Sequence, residues 1–179
     1  MKNWLHPCRK LAALGFVLSA AAHVLALTGT PIPGGNLIMG LHVGIFVVWI
    51  PAMLASLPLM RGVGGRDFWK VVLADCPPWM RRGLYGLFAY AILNFMIGFV
   101  SEAGHPKDPS GRISSVTVRM FSGHWMMFYA AAFAILHSRI RALQLPQVGQ
   151  CVNGHPVAAM ASSCPRCGTV LVQETGNRP

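Results

Sequence analysis

The chain has 179 residues, of which 54% are hydrophobic and only 11% charged, and its mean hydropathy is +0.49. This composition excludes an ordinary soluble domain and predicts an integral membrane protein. A formal net charge of +10 would point to nucleic acid in a soluble protein. No interleaving of aromatic and basic residues accompanies the charge, so the sequence argues against nucleic-acid binding.

Four long stretches carry few or no charges, and each is close to the roughly 20 apolar residues that cross a bilayer as a helix. They cover residues 11–27, 37–60, 84–100 and 120–138. A short turn rich in proline and glycine joins the first two, which makes them antiparallel neighbours. We therefore predict an all-α membrane protein in which residues 1–143 form an antiparallel bundle of four transmembrane helices in the lipid bilayer.

Two shorter segments connect or follow these spans. Residues 67–75 predict an interfacial helix, with Asp67 as its N-cap and an apolar stripe that includes Phe68, Trp69 and Val72. This helix is either a linker on the membrane surface or a docking element for a partner. Residues 144–150 contain proline and glycine and predict a linker to the C-terminal tail.

The basic residues indicate how the spans are oriented. They concentrate before the first span, between the second and third, and after the fourth. By the positive-inside rule, both termini are then cytoplasmic. The five cysteines fall on this same side, where a reducing environment keeps them as thiols or metal thiolates rather than disulfides. They are Cys8, Cys76, Cys151, Cys164 and Cys167.

The tail contains the most specific pattern in the chain, Cys-x3-His-x8-Cys-x2-Cys. Its members are Cys151, His155, Cys164 and Cys167. Three thiolates and an imidazole are a ligand set for a closed tetrahedral zinc site, which leaves no open position for catalysis. A redox Cys-x-x-Cys pair or unliganded cysteines are the alternatives, but the redox interpretation leaves Cys151 and His155 unexplained.

The tail also resembles the short bacterial zinc-ribbon modules written as Cys, a turn, Gly-His, and later Cys-Pro-x-Cys-Gly. The matching residues run from Cys151 to His155 and from Cys164 to Gly168. The resemblance implies structural zinc in a ribbon over 151–179, a positive φ at Gly168, and short strands at 157–160 and 169–172. It further implies a platform for protein contact. Together with the predicted spans, we expect a multi-pass protein of the bacterial cytoplasmic (inner) membrane.

Three histidines form a second candidate site. His23, His42 and His124 each lie about 6 to 8 Å below the non-cytoplasmic end of their span, and ionisable groups at such depth point to function. Two facing histidines could ligate a b haem, or the histidines could form a small metal or quinone-type site with Glu102. Interhelical hydrogen bonding without a ligand is the third interpretation. His137 lies on a different helix face from His124, which excludes a second haem between them.

No catalytic carboxylate pair, phosphate-binding loop or nucleophile elbow occurs in the sequence. We therefore predict a non-enzymatic accessory, assembly or scaffolding subunit of a membrane complex, whose zinc ribbon contacts cytoplasmic partners among the other subunits. The alternative is a b-type cytochrome with one bis-histidine haem for electron transfer. A third possibility is a protein with a metal or quinone-type site in the outer leaflet.

Overall fold

A computed structural model describes residues 3–60, 67–103, 113–144, 147–158, 164 and 166–171. Five α-helices follow in chain order: α1 (Leu5–Leu27), α2 (Gly40–Met60), α3 (Phe68–Val72), α4 (Pro78–Ala103) and α5 (Ser115–Gln144). A 3-10 helix (Gly35–Met39) precedes α2. Two short antiparallel strands, β1 (Gln147–Gln150) and β2 (Pro156–Ala158), follow α5.

Three helices in the described residues are long and apolar enough to cross a membrane. They are α1, the segment 35–60 that contains α2, and α4, whose best windows have mean hydropathies of 1.8, 2.2 and 1.7. At most a third of each window is buried within the protein. Their outer faces are therefore covered with exposed Leu, Val, Ile and Phe side chains, the surface that a lipid environment stabilises.

The predicted fourth span is also helical, but α5 is not among these three helices. It packs against α1, α2 and α4 and is therefore the central helix of the bundle. Polar and small residues such as Ser122, Gly123 and Ser138 are buried in its contacts and lower its hydropathy. Hydropathy alone thus indicates three membrane crossings, and the fourth remains a prediction.

Glycines allow the outer helices to approach α5 closely. Gly15 of α1 lies against the Tyr129 ring, and Gly98 of α4 lies against Met120, so that a side chain at either position would overlap α5. The long helices alternate in direction. We call the end where α1 and α4 begin and where α2 and α5 end the basal end, and the opposite end the apical end.

The short segments differ from their predictions. The predicted helix 67–75 is helical only over Phe68–Val72, and Asp67 makes no capping hydrogen bond but pairs with Lys70 at 2.8 Å. Val72 and Leu73 are buried, because α3 packs against α2 and α5. The interfacial position of this helix stays a prediction.

The strands of the tail also differ from those expected. Residues 147–150 of the predicted linker form β1, which pairs with β2. The predicted strand at 157–160 begins earlier, at Pro156, and is described only to Ala158. At 169–172 the described residues contain a single bridge at Val170, and residue 172 lies outside them. β1 forms because the turn from Cys151 to His155 reverses the chain and places residues 156–158 alongside residues 147–150.

Candidate metal site

The four predicted ligands converge. The ligand atoms of Cys151, His155, Cys164 and Cys167 all lie within 4.8 Å of one another. The Cys151 Sγ atom is 3.7 Å from Cys167 Sγ and 3.6 Å from His155 Nδ1. Tetrahedral zinc would place two sulfurs about 3.8 Å apart, and a sulfur and a nitrogen about 3.6 Å apart. The cluster therefore has the dimensions of a site that could hold a metal such as zinc.

The first pair of ligands is fixed by the turn of the hairpin. The backbone N–H of Cys151 donates to the His155 carbonyl at 2.9 Å, and that of Gly154 donates to the Cys151 carbonyl at 2.8 Å. Gly154 has φ +72°, a conformation that glycine adopts without steric cost. This tight turn brings the His155 ring beside the Cys151 thiol.

The second pair sits on a similar turn. The N–H of Gly168 donates to the Cys164 carbonyl at 2.8 Å, and the N–H of Cys164 donates to the Thr169 carbonyl at the same distance. The expected positive φ at Gly168 is confirmed, at +76°. The backbone N–H of Arg166 also points at the Cys164 sulfur, 3.5 Å away, which is how a peptide turn stabilises a thiolate.

Two residues that the sequence did not single out act on the ligand Cys167. The Thr169 hydroxyl lies 3.1 Å from its sulfur, and the Asn153 amide donates to it at 3.4 Å. Together they lower the pKa of Cys167 to about 5, so that it is a thiolate at neutral pH. Burial instead raises the pKa of Cys164. Neither Asn153 nor Thr169 is a metal ligand, so ligand spacing could not reveal them.

The remaining cysteines have a different chemistry. Cys76 is buried, and its thiol donates to the Ala134 carbonyl at 3.2 Å. Burial raises its pKa to about 11, so it stays protonated. Its neighbour Asp75 also docks on α5, where its N–H donates to the Ser138 hydroxyl. Cys76 therefore stabilises the basal end and contributes no ligand.

The cluster is seated against the basal end of the helices. A Cβ added at Gly168 would lie 2.8 Å from the Leu59 carbonyl oxygen and 2.9 Å from that of Pro58, at the end of α2. Arg139 of α5 is buried nearby, where the charges of both Asp75 and Cys164 act on it. The metal-binding turn and the helical bundle therefore share one packed interface.

The apical histidines are placed differently. His23 is buried, and its two ring nitrogens are hydrogen-bonded to the Ser122 hydroxyl, at 2.8 Å, and to the Tyr90 hydroxyl. Its small-residue face packs against α5, as the i, i+4 pattern with Gly15 and Ser19 predicts. A haem iron or metal ion would have to displace one of these hydrogen bonds to bind His23.

His42 and His124 have partners of their own. His42 is exposed and accepts a hydrogen bond from the Trp125 indole at 3.2 Å. The His124 Nδ1 atom lies 3.4 Å from the Met120 carbonyl, and its ring meets the edge of Phe95. Within the described residues, the group able to hold a metal does not include these histidines. The haem and the outer-leaflet metal or quinone site remain predictions.

Glu102, the carboxylate proposed for the outer-leaflet site, is engaged at the start of α5. Both of its oxygens accept from the Ser114 hydroxyl at 3.1 Å, and one also accepts from Thr117. Asn94 lies two helical turns before Glu102 and links α4 to α5 by donating a hydrogen bond to the Arg119 carbonyl at 2.8 Å. These two polar residues of α4 thus face α5 and join the two helices.

Comparisons with known proteins give no relative from which a function could be inferred. No protein-family model matches the chain, and no match is found among curated proteins or solved structures. The described structure accordingly defines a helical protein with three potential membrane spans and a Cys3His cluster that could hold a metal.

Proposed function

We propose that α5 is a fourth crossing and that the chain is a multi-pass protein of a bacterial cytoplasmic membrane with both termini in the cytoplasm. The 30 residues of α5 would extend over about 45 Å, enough to cross a bilayer. Its polar side chains are turned toward the other helices, so lipid would meet few of them. The basal end carries basic residues from three helices, including Arg9, Arg81 and Arg141, and would be cytoplasmic.

We further propose that the Cys3His cluster is a structural zinc ribbon. Four N/S ligands at tetrahedral spacing leave no coordination position for a substrate. The turns supply N–H and amide donors to the sulfurs, the arrangement that holds metal thiolates in place. The residues around the ligands therefore support a metal that stabilises a fold rather than one that performs chemistry.

For the protein as a whole, we propose a role as a non-enzymatic accessory, assembly or scaffolding subunit of a membrane complex. The observation that carries this proposal is the seating of the metal-binding turn on α2, which leaves its other face outward. Val152, next to Cys151, and Val170, next to Thr169, are 87% and 69% exposed. Exposed apolar side chains beside a closed metal site suit a contact with a protein partner.

Blue-native electrophoresis of mildly solubilised native membranes tests this role. We expect the wild-type chain to migrate in an assembly much larger than its own 19.4 kDa. The double variant Val152→Ser and Val170→Ser should shift to a smaller species, because it removes apolar contact area without adding charge. Its zinc content should match that of the wild type, which separates loss of contact from loss of folding.

Val43→Ser is the matched control, since Val43 is 65% exposed on α2 near the apical end. It should leave the assembly unchanged. Migration of the wild-type chain as a single subunit would refute the scaffolding role, as would an assembly that the double variant leaves intact.

A further inference from the structure

An apolar cleft of about 450 Å³ opens between α1, α4 and α5. Its volume lies within the roughly 300–1,000 Å³ of pockets that hold small organic ligands. The cleft exists because α1 and α4 each pack against α5 rather than against each other. Small and aromatic residues line it, among them Ala13, Phe16, Trp79, Gly83, Ala130 and Phe133. Such a lining suits a hydrocarbon chain.

Cations gather at the basal mouth of this cleft. Arg9 lies one helical turn before Ala13 on α1, and His137 lies one turn after Phe133 on α5. The His137 ring stacks on the Phe133 ring, with centroids 6.0 Å apart. The charges of Arg9 and Arg141 both act on the His137 imidazole, so residues from two helices meet there.

These cations have little negative charge around them. The whole sequence contains 15 Lys and Arg residues but only 5 acidic ones. In the part of the chain that the structure describes, Lys70 forms an ion pair with Asp67 at the edge of α3. Near the mouth, the half-buried carboxylate of Asp75 faces both Arg139 and Arg141. Among the described residues, Asp75 is thus one carboxylate near two arginines of α5, while Arg9 and Arg141 both lie near His137, so these residues together carry a net positive charge.

We propose that this cleft binds an anionic phospholipid, with an acyl chain between α1 and α4 and the phosphate against Arg9 and Arg141. Basic pockets between transmembrane helices on the cytoplasmic side recognise anionic head groups in this way. Trp79, 70% exposed at the rim of the cleft, lies where an interfacial tryptophan meets the head-group region. The inference depends on the membrane placement proposed above, but not on the scaffolding role.

Native mass spectrometry of the purified, full-length protein tests the head-group contact. The protein is titrated with phosphatidylglycerol and, separately, with phosphatidylcholine carrying the same acyl chains. We expect preferential binding of phosphatidylglycerol by the wild type. Arg9→Gln and Arg141→Gln should each weaken it about fivefold, because a basic residue at the membrane surface contributes about that much. Arg82→Gln should bind like the wild type, because Arg82 is exposed and its charge, unlike those of Arg9 and Arg141, does not act on His137.

Two glycines of α4 test the acyl-chain contact. A Cβ at Gly83 or at Gly86 would meet no atom within 4 Å, but only Gly83 lines the cleft. Gly83→Leu should fill the cleft and abolish the lipid adduct, whereas Gly86→Leu should keep it. Equal binding of the two lipids would overturn the proposal, as would an equal loss in Arg82→Gln or an unchanged adduct in Gly83→Leu. The size of the native complex is a separate readout, so either proposal can fail alone.

Discussion

The metal cluster and the apical histidines are built from residues with similar ligand chemistry, but the chain positions them in different ways. In the cluster, two tight turns direct four side chains toward one point, and the ligand atoms lie mainly against one another. In the apical layer, three separate helices carry one histidine each, and each ring has its own protein partner. Side chains at a similar depth in a bundle therefore do not automatically point at one another, because the rotation of each helix about its axis decides which rings meet.

The largest expected effect is on the cluster itself. Cys164 is fully buried, and replacing it with serine removes one of four ligands. A structural zinc site contributes on the order of 10 kcal/mol or more to folding of its module. We expect metal analysis to give about one zinc per wild-type chain and close to none for Cys164→Ser.

Cys8→Ser is the control, because Cys8 lies on α1 and is not part of the cluster. Zinc retained in full by Cys164→Ser, or lost equally in Cys8→Ser, would show that the convergence of the four ligands does not create the metal site.

The seating of the cluster on α2 can be broken without touching a ligand. Gly168→Ala and Gly154→Ala both place a side chain at positive φ, which costs about 1 kcal/mol. Only the Cβ at position 168 would also collide with the backbone of Pro58 and Leu59, adding about 2 kcal/mol of overpacking. When thermal unfolding is monitored by zinc release, Gly168→Ala should therefore unfold at a clearly lower temperature than Gly154→Ala. If the two variants release zinc at the same temperature, the ribbon is not packed on α2.

A smaller effect is expected in the apical layer. His23→Leu removes hydrogen bonds to Ser122 and Tyr90, and side-chain hydrogen bonds within membranes contribute about 0.6 kcal/mol each on average. We expect the free energy of unfolding, measured by detergent-induced unfolding, to fall by about 1–2 kcal/mol. The exposed His42→Leu should lower it by less. The expectation can be contradicted by the absorption spectrum of the reduced protein, purified from haem-replete cells. A Soret band that His23→Leu removes would establish His23 as a haem ligand.

The parts of the molecule that could be predicted from sequence are those set by local spacing. Cys151 and His155 are four residues apart, as are Cys164 and Gly168, so each turn could be placed before any tertiary structure was known. Helix geometry alone also places Gly15, Ser19 and His23 on one face of α1, and Asn94, Gly98 and Glu102 on one face of α4, because residues four apart share a helix face. The partners across those faces did not follow, since Ser122 and Tyr90 come from helices whose adjacency the sequence does not encode locally.

The elements that the sequence did not predict also depend on contacts with other segments of the chain. Residues 147–150 contain proline-flanked polar sequence that resembles a linker, and they become a strand only because the turn after them offers a pairing partner. Val72 and Leu73 are buried because α3 packs on α2 and α5, a contact between segments that are distant in the sequence. The central position of α5 did not follow from the sequence either, because it depends on contacts with three other helices.

The central position of α5 also bears on the order in which the protein is made. Synthesis proceeds from the N-terminus, so α1, α2 and α4 emerge from the ribosome before the helix on which all three pack. Until α5 has been made, the glycine faces of α1 and α4 lack the helix on which they pack. The cysteine turns are translated later still. The four side chains of the cluster can therefore come together only after the central helix of the bundle is available.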